Sequence, residues 1–251
     1  MSRRPLIAVI SCTRSMDTGR MQGVSERFLT PLVEWSDLNP VIVPSLGDAA
    51  QARSLAASFD AVLLTGCMSN VAPARYGSAA PQVEPSDHRR DTTALAFASA
   101  LIESGGTVFG ICRGLQEINV LYGGTLHGSV TEAGFDGQAH HPTGTRYGDA
   151  LASNLHTVLI REGVLGPERP LEVVSAHHQG VDRLGTGLTV EATASDGLVE
   201  AVSDFGDAAV LGVQWHPEWN VSSCSTSRDF FGMLGRSARG DREGCLLAQA
   251  A

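Results

Sequence analysis

The cysteine at position 112 stands between two glycines, in a segment that reads Thr-Val-Phe-Gly-Ile-Cys-Arg-Gly-Leu from residue 107. The glycines lie two positions before and two positions after it, a spacing typical of a nucleophile elbow, where a strand turns sharply into a helix. Small residues at these offsets keep the two backbones from colliding. The pattern therefore predicts that Cys112 is a nucleophile and that the Arg113 N–H can donate to an oxyanion. The alternative is a buried cysteine without chemistry.

A thiol nucleophile needs a base, and the histidine best placed for this task is His216. It follows the apolar run 209–214 and precedes Pro217, which stops the strand. Glu218 lies two residues further on, where it can orient the imidazole as the third member of a triad. The alternative is a capped strand end with no chemistry.

The elements that must position these residues alternate along the first half of the chain. Apolar runs rich in β-branched residues predict strands at Leu6–Ser11, Val41–Pro44, Ala61–Thr65 and Thr107–Ile111. Helices are predicted between them at Pro31–Leu38, Ala49–Ser58 and Thr92–Glu103, the last with Asp91 as its N-cap. This order predicts an α/β fold, with a mostly parallel central sheet and helices on both faces.

Strands follow one another without helices in the second half. They are predicted at Thr157–Ile160, Leu171–Ala176, Leu188–Ala194, Leu198–Asp204 and Ala209–Gln214. Asp196-Gly197 predicts a tight hairpin, so we expect an antiparallel extension of the sheet. Segments 67–91 and 129–149 are candidate functional loops. Since no linker divides the chain, we expect a single domain over residues 1–251, with a core at about 5–235 and a tail at 238–251.

Composition and charge exclude several classes of protein. The chain has 18 Lys and Arg against 27 Asp and Glu, a net charge of −9, and no basic run, so we expect no nucleic-acid or membrane partner. No apolar stretch reaches the ~20 residues of a membrane span, and no signal-peptide pattern opens the sequence, which predicts a cytoplasmic location. The five cysteines are widely spaced, which argues against a disulfide framework.

Two pairs of adjacent histidines, His140-His141 and His177-His178, raise the question of a metal site. Their spacings match no zinc pattern, and adjacent residues on a strand point to opposite faces. Thiol chemistry needs no metal or other cofactor, so we predict none. Four charged residues before the third predicted helix are interpreted as its solvated start, the alternative being a role in binding one side of a substrate: Asp87, Arg89, Arg90 and Asp91.

The segments Gly-Ile-Cys112-Arg-Gly-Leu-Gln116-Glu and Gln-Trp-His216-Pro-Glu218-Trp resemble the class I glutamine amidotransferase-like superfamily. Within it, the chain is most similar to the γ-glutamyl-γ-aminobutyrate hydrolase (peptidase C26-like) family, over roughly residues 5 to 232. The His-His-Gln segment at 177–179 and the Asp-Gly-Leu-Val-Glu-Ala segment from 196 favour this branch over the biosynthetic glutaminases. The resemblance implies a flavodoxin-like fold and a Cys–His–Glu triad of Cys112, His216 and Glu218.

The resemblance also implies a function. It implies a cytoplasmic thiol hydrolase that cleaves a γ-glutamyl amide, γ-glutamyl-γ-aminobutyrate above all, in polyamine (putrescine) catabolism. Cys112 would form a glutamyl thioester, and the amides of Arg113 and of Cys67, which follows Gly66, would hold the oxyanion. Further residues expected around the substrate are Asn70, Gln116, His177, His178 and Gln179. The alternatives are a hydrolase of another γ-glutamyl amide, a glutaminase that supplies ammonia to a synthetase, and a non-catalytic binding protein on the same fold.

Cys67 departs from the pattern, because many members of the superfamily have a second glycine at this position. Only its backbone N–H is needed there, so a side chain is tolerable if φ is negative. We interpret Cys67 as an ordinary loop residue, the alternative being a redox partner for Cys112. The partner we expect is the small-molecule substrate, and a homodimer would be the commonest assembly.

Overall fold

The computed structural model describes residues 3–141 and 147–241. Most of the tail predicted at 238–251, Cys245 and part of the loop predicted at 129–149 lie outside the described residues. The strands are β1 (Leu6–Ile10), β2 (Cys12–Met16), β3 (Gly19–Gly23), β4 (Asn39–Val43), β5 (Ala61–Leu64), β6 (Thr107–Ile111), β7 (Leu126–His127), β8 (Leu155–Ile160), β9 (Arg169–Val174), β10 (Gly180–Val181), β11 (Thr189–Ala194), β12 (Val199–Asp204) and β13 (Ala209–Val213). The helices are α1 (Glu26–Glu34), α2 (Ala49–Ala56), α3 (His88–Glu103), α4 (Arg113–Leu121), α5 (Gly137–His140), α6 (Tyr147–Ser153) and α7 (Ser225–Ala238).

Nine of the described strands form one large sheet in the order β4-β1-β5-β6-β13-β12-β11-β8-β9, and β10-β7 and β2-β3 form two small sheets of two strands each. The first five are parallel neighbours, and the last four continue the sheet in antiparallel pairs. Both the parallel sheet and its antiparallel extension are therefore confirmed. The predicted hairpin at Asp196-Gly197 joins β11 to β12, with Gly197 at a φ of 92°.

Apolar side chains cover both faces of the parallel half. Phe109 of β6 packs on one side in a cluster with Leu32 of α1 and Phe231 of α7. Val108, its neighbour in β6, packs on the other side with Phe97 of α3 and Ile118 of α4. Strands buried on both faces need continuous apolar runs, which explains why β5, β6 and β13 could be recognised in the sequence.

Two predicted helix starts were wrong. Helix α1 begins at Glu26 with Ser25 as its N-cap and contains Pro31, the predicted first residue, in its interior. Helix α3 begins at His88, because the side chain of Asp87 accepts a hydrogen bond from the Arg90 N–H. Asp91, the predicted cap, lies inside the first turn.

The sequence analysis missed the β2–β3 hairpin and helix α7. The hairpin carries mostly polar, exposed side chains, so it shows no apolar alternation. Among the helices of residues 3–141 and 147–241, none combines the length and apolar character that crossing a membrane requires.

Candidate active site

Cys112 occupies a sharp turn between β6 and α4. Its backbone has φ 53° and ψ −105°, and in the described chain only Asp37 shares a positive φ among the non-glycine residues. A Cβ on Gly110 would lie 2.4 Å from the carbonyl carbon of Gly114, and a Cβ on Gly114 would lie 2.1 Å from the Leu64 oxygen. The turn therefore requires glycine at both positions, which is the reason that the sequence pattern suggested.

His216 reaches Cys112 because their strands are neighbours in the sheet. Strands β6 and β13 are parallel and in register, with Ile111 opposite Val213. Cys112 and His216 follow the carboxyl ends of these strands, where active sites of open α/β sheets gather. The two side chains are hydrogen-bonded to each other. The structure thus joins, through the sheet, two residues that are far apart in the chain.

Glu218 completes the arrangement from the short turn after β13. Its Oε1 lies 2.7 Å from Nδ1 of His216, and both side chains are buried. Burial by itself lowers the pKa of His216, but the negative charge of Glu218 and the neighbouring Cys112 sulfur raise it to about 10. The raised pKa favours the imidazolium form of His216, which is the form that can give a proton to a leaving group.

Gly66 lies close to both His216 and Cys112, and the space beside it is too small for a larger side chain. A Cβ at this position would lie 3.0 Å from Cε1 of His216 and 3.6 Å from Cβ of Cys112. The next residue, Cys67, has a negative φ, as its predicted role requires. Arg113 is the first residue of α4, so its N–H has no partner within the helix. The joint role of the Arg113 and Cys67 amides in binding an oxyanion stays a prediction.

The Cys67 side chain bonds to neighbours other than Cys112. It is hydrogen-bonded to Cys12, and its Sγ lies 3.2 Å from Oγ of Ser69. The hydrogen bond with Cys12 and the positive charge of Arg90 lower the pKa of Cys67 against the effect of burial. Arg90 also donates to Sγ of Cys12 at 2.9 Å. The redox partnership of Cys67 with Cys112 stays an untested alternative.

Arg90 and Asp91 are not part of a solvated helix start; this interpretation was wrong. Both side chains are fully buried beneath the elbow. Arg90 donates to Glu117 at 3.1 Å, while Arg113 pairs with Asp91 and approaches Glu117 at 3.0 Å. The network ties α3 to α4 and so fixes the turn that carries Cys112. The spacing of Arg113 and Glu117, four residues apart on α4, signals only their own pairing, and the part played by Arg90 and Asp91 left no local pattern.

Three of the residues predicted around the substrate bind other parts of the protein. Gln116 donates to the Gln179 carbonyl at 2.9 Å, and the Gln179 side chain pairs with the backbone of Val71. Asn70 donates to the Val83 carbonyl at 3.1 Å. These amides hold together the loops behind the triad, and none of the three residues lines the cavity in front of it. A direct contact with substrate stays a prediction for each.

The side chains of the adjacent residues His177 and His178 point in different directions. His177 is buried, and its ring faces that of His140, with the two centroids 4.8 Å apart. His178 is exposed and packs against the His141 ring at 4.0 Å. The two residues lie in the irregular segment after β9, so the inward direction of His177 and its partner His140 could not be read from the sequence.

A cavity of about 1060 Å³ is lined by two members of the triad, His216 and Glu218, while the Cys112 side chain is buried next to them. Its floor includes Gly66, His216 and Glu218, and the β2–β3 hairpin forms part of its wall. The arginines that line it are Arg14, Arg20, Arg27 and Arg89. Its two acidic residues are already engaged, Asp87 in capping α3 and Glu218 in holding His216. The wall therefore carries an excess of positive charge, suited to an anionic ligand.

The sequence of the chain is similar to those of known proteins. The profile of the Peptidase C26 family matches residues 5–218. The γ-glutamyl-γ-aminobutyrate hydrolase PuuD of Escherichia coli (strain K12) is 34% identical over 233 residues, which is 90% of this chain and 91% of that protein. A "Putative glutamine amidotransferase" of Schizosaccharomyces pombe is 33% identical over 77% of this chain and 74% of its own length.

A solved structure shows the same fold. It is the crystal structure of a "putative GMP synthase" component from Thermoplasma acidophilum, with a TM-score of 0.62. The match covers 96% of this chain and 98% of that one at 16% identity, so it supports the glutamine amidotransferase-like fold alone.

Proposed function

The chain belongs to the Peptidase C26 family of cysteine-dependent hydrolases, and from that premise we propose that it hydrolyses a γ-glutamyl amide, namely γ-glutamyl-γ-aminobutyrate. The products would be glutamate and γ-aminobutyrate. This reaction would be a step of putrescine breakdown in the cytoplasm. The four described cysteines are free thiols, and a reducing compartment would keep the nucleophile among them active.

The observation that carries the proposal is the arginine-lined cavity that ends at His216. The chain as a whole has a net charge of −9, yet four arginines face this one cavity. The proposed substrate carries two carboxylates, one on the glutamyl group and one on the leaving amine. Guanidinium groups bind carboxylates in planar, bidentate pairs, so this wall suits both ends of such a molecule.

The chemistry would begin when the Cys112 thiol passes its proton to His216 and the resulting thiolate attacks the γ-carbonyl carbon. The carbonyl electrons would move to oxygen, where the amides of Arg113 and Cys67 would stabilise the negative charge. His216 would then give its proton to the leaving nitrogen, which departs as the free amine. Glu218 would hold the ring in position and stabilise its charged form throughout.

Hydrolysis of the glutamyl thioester would complete the cycle. His216, now neutral, would take a proton from a water molecule in the cavity as that water attacks the thioester carbon. The second tetrahedral intermediate would collapse to glutamate and expel the sulfur, which again faces an imidazolium. The proton that His216 gives up in the first half is thus regained in the second.

A substrate panel tests the assignment. We expect kcat/KM to be highest for γ-glutamyl-γ-aminobutyrate, lower for a neutral γ-glutamyl alkylamide, and lowest for γ-glutamyl-putrescine, whose leaving amine is cationic. Glutamine belongs in the panel because relatives carry amidotransferase names. Preference for glutamine or for the cationic amide would contradict the proposed substrate while leaving the hydrolase family intact.

Variants of the hairpin sharpen this test. We expect Arg14→Gln and Arg20→Gln to lower kcat/KM roughly tenfold for the carboxylate-bearing amide, through the loss of a charge-assisted contact. The same variants should change kcat/KM for the neutral alkylamide much less. Arg161→Gln is the matched control, because Arg161 is exposed and does not line the cavity. If kcat/KM fell equally for both substrates, the hairpin arginines would not recognise the carboxylate of the leaving group.

A further inference from the structure

We propose that His140, His177 and Glu200 form a binding site for a divalent transition metal ion, zinc by preference. The site lies inside the antiparallel half of the molecule, apart from the triad. Its three residues come from separate segments: His140 ends α5, His177 follows β9, and Glu200 belongs to β12. All three side chains are buried.

The spacing of the candidate ligand atoms fits a tetrahedral ion. Nδ1 of His140 lies 3.1 Å from Nε2 of His177. Oε1 of Glu200 lies 3.3 Å from the first of these nitrogens and 3.4 Å from the second. A tetrahedron with metal–ligand bonds of about 2.0–2.1 Å has edges of about 3.3–3.4 Å. The three atoms therefore outline one face of such a tetrahedron.

The outer hydrogen bonds of the two rings direct lone pairs towards the same point. Nδ1 of His177 lies 2.9 Å from the Gln179 carbonyl oxygen, which can only accept, so this nitrogen carries the hydrogen. Nε2 of His140 lies 2.9 Å from Oδ2 of Asp196 and donates to that carboxylate in the same way. In the neutral rings, Nδ1 of His140 and Nε2 of His177 are then both acceptors. Outer partners of this kind fix the tautomers of metal-binding histidines.

Three acceptors that face one another need a cation between them. A single proton could bridge the two nitrogens, but it would leave the carboxylate unsatisfied. Neither oxygen of Glu200 accepts a well-aligned hydrogen bond within the described residues, although the side chain is fully buried. The two rings approach Glu200 at 3.3 and 3.4 Å, but neutral rings that face it with lone pairs leave the buried charge uncompensated, whereas a divalent ion would satisfy the carboxylate and both nitrogens at once.

A fourth ligand is available close to the three. The buried Nε2 of His156 has no hydrogen-bond partner in residues 3–141 and 147–241, and it lies 3.8 Å from Oε2 of Glu200. The His156 ring stands edge-on to that of His140, with centroids 5.0 Å apart. A small movement of this side chain, or a water molecule, would complete the coordination. Two or three histidines with one carboxylate is a ligand set that zinc accepts.

The ion would act by joining segments that lie behind the triad. The Glu200 carbonyl accepts from the Gln214 N–H at 2.7 Å, two residues before His216. Ala176 precedes His177, and its carbonyl oxygen lies 4.0 Å from the Cys112 sulfur. A metal at this site would therefore stabilise the loops that support Cys112 and His216, without contact with substrate.

Metal content and thermal unfolding of the whole protein test the proposal. After dialysis against zinc and then against metal-free buffer, we expect roughly one zinc per chain in the wild type. Chelation should lower Tm, and restored zinc should raise it by roughly 5–10 °C at a hundredfold excess over Kd. We expect His140→Ala to lose both the metal and the zinc-dependent shift. His127→Ala is the matched control, since His127 lies on β7 outside the cluster.

The catalytic thiol could also bind zinc, so Cys112→Ala is the second control and should retain the metal. Bound Co²⁺ should show tetrahedral visible bands without sulfur-to-metal charge transfer. Zinc that survives His140→Ala and disappears with Cys112→Ala would overturn the proposal. The proposal would also be overturned if the wild type kept no zinc and its Tm changed with neither zinc nor chelator. The His140 and His177 rings would then share a proton. The wild-type measurements decide the question even if His140→Ala does not fold, and none of them depends on the substrate.

Discussion

Residues 3–141 and 147–241 contain two buried groups of histidine and carboxylate side chains, and of these one faces a nucleophile. In the parallel half, His216 contacts Glu218 on one side and Cys112 on the other, at the floor of an open cavity. In the antiparallel half, His140 and His177 contact Glu200 and Asp196, away from that cavity. The same residue types thus serve acid–base chemistry in one place and suit ion binding in the other.

The difference between the two groups follows from their places in the sheet. Parallel strands bring the ends of β6 and β13 together at one edge, which leaves their last residues open to a ligand. Glu200 instead lies within β12, between two antiparallel neighbours, where side chains from loops close over it. A histidine–carboxylate pair therefore indicates a catalytic site only when it also faces an open cavity and contacts a nucleophile. Variants of each group should separate these roles.

The largest effect is expected from Cys112→Ala. Removing the sulfur abolishes the covalent intermediate, so kcat for the γ-glutamyl amide should fall by at least about 10⁴-fold. Glutamate release under saturating substrate measures the loss. Cys224→Ala, which changes a thiol outside the site, should keep full activity. Turnover within tenfold of the wild type in Cys112→Ala would mean that another group is the nucleophile.

A smaller effect is expected from Glu218→Gln. We expect kcat to fall by about 10²- to 10⁴-fold, because the amide supports the imidazolium less well than the carboxylate does. The loss of negative charge should also lower the pKa of His216 from about 10. Since the acid form of His216 is needed, the alkaline limb of the pH–rate profile should move to lower pH. An alkaline limb that stays in place would show that Glu218 does not control this proton.

The smallest effect on chemistry is expected from His140→Ala, which changes the other group. Here kcat/KM at 25 °C should fall less than about tenfold, because the side chain does not reach the substrate. The loss should appear in Tm instead, as a fall of roughly 5 °C or more in zinc-containing buffer. A loss of activity as deep as that of Glu218→Gln, with Tm unchanged, would erase the distinction between the two groups.

The strands of the parallel part of the sheet were predictable from the sequence, since each left a local apolar pattern. Strand β6 was predicted to the residue, and the ends of β1 and β5 fell within one residue of their predicted positions. The start of α3 was misplaced by four residues, because both Asp87 and Asp91 are suitable caps and only packing decided between them. Asp91 is withdrawn from the surface by its ion pair with Arg113, a contact between two helices that neither sequence segment records.

The sequence by itself determined the turn at Cys112 and the pairing of His216 with Glu218, because each depends on residues only two positions apart. Glycine at 110 and 114 is required by contacts made within or beside that one turn, so the residue types reveal it. Only the tertiary structure decided that the β2–β3 hairpin brings Arg14 and Arg20 to the cavity, and that His140, His177 and Glu200 meet. These contacts join residues that are far apart in the sequence and depend on strand order and loop packing, so the spacing of the residues along the chain does not predict them.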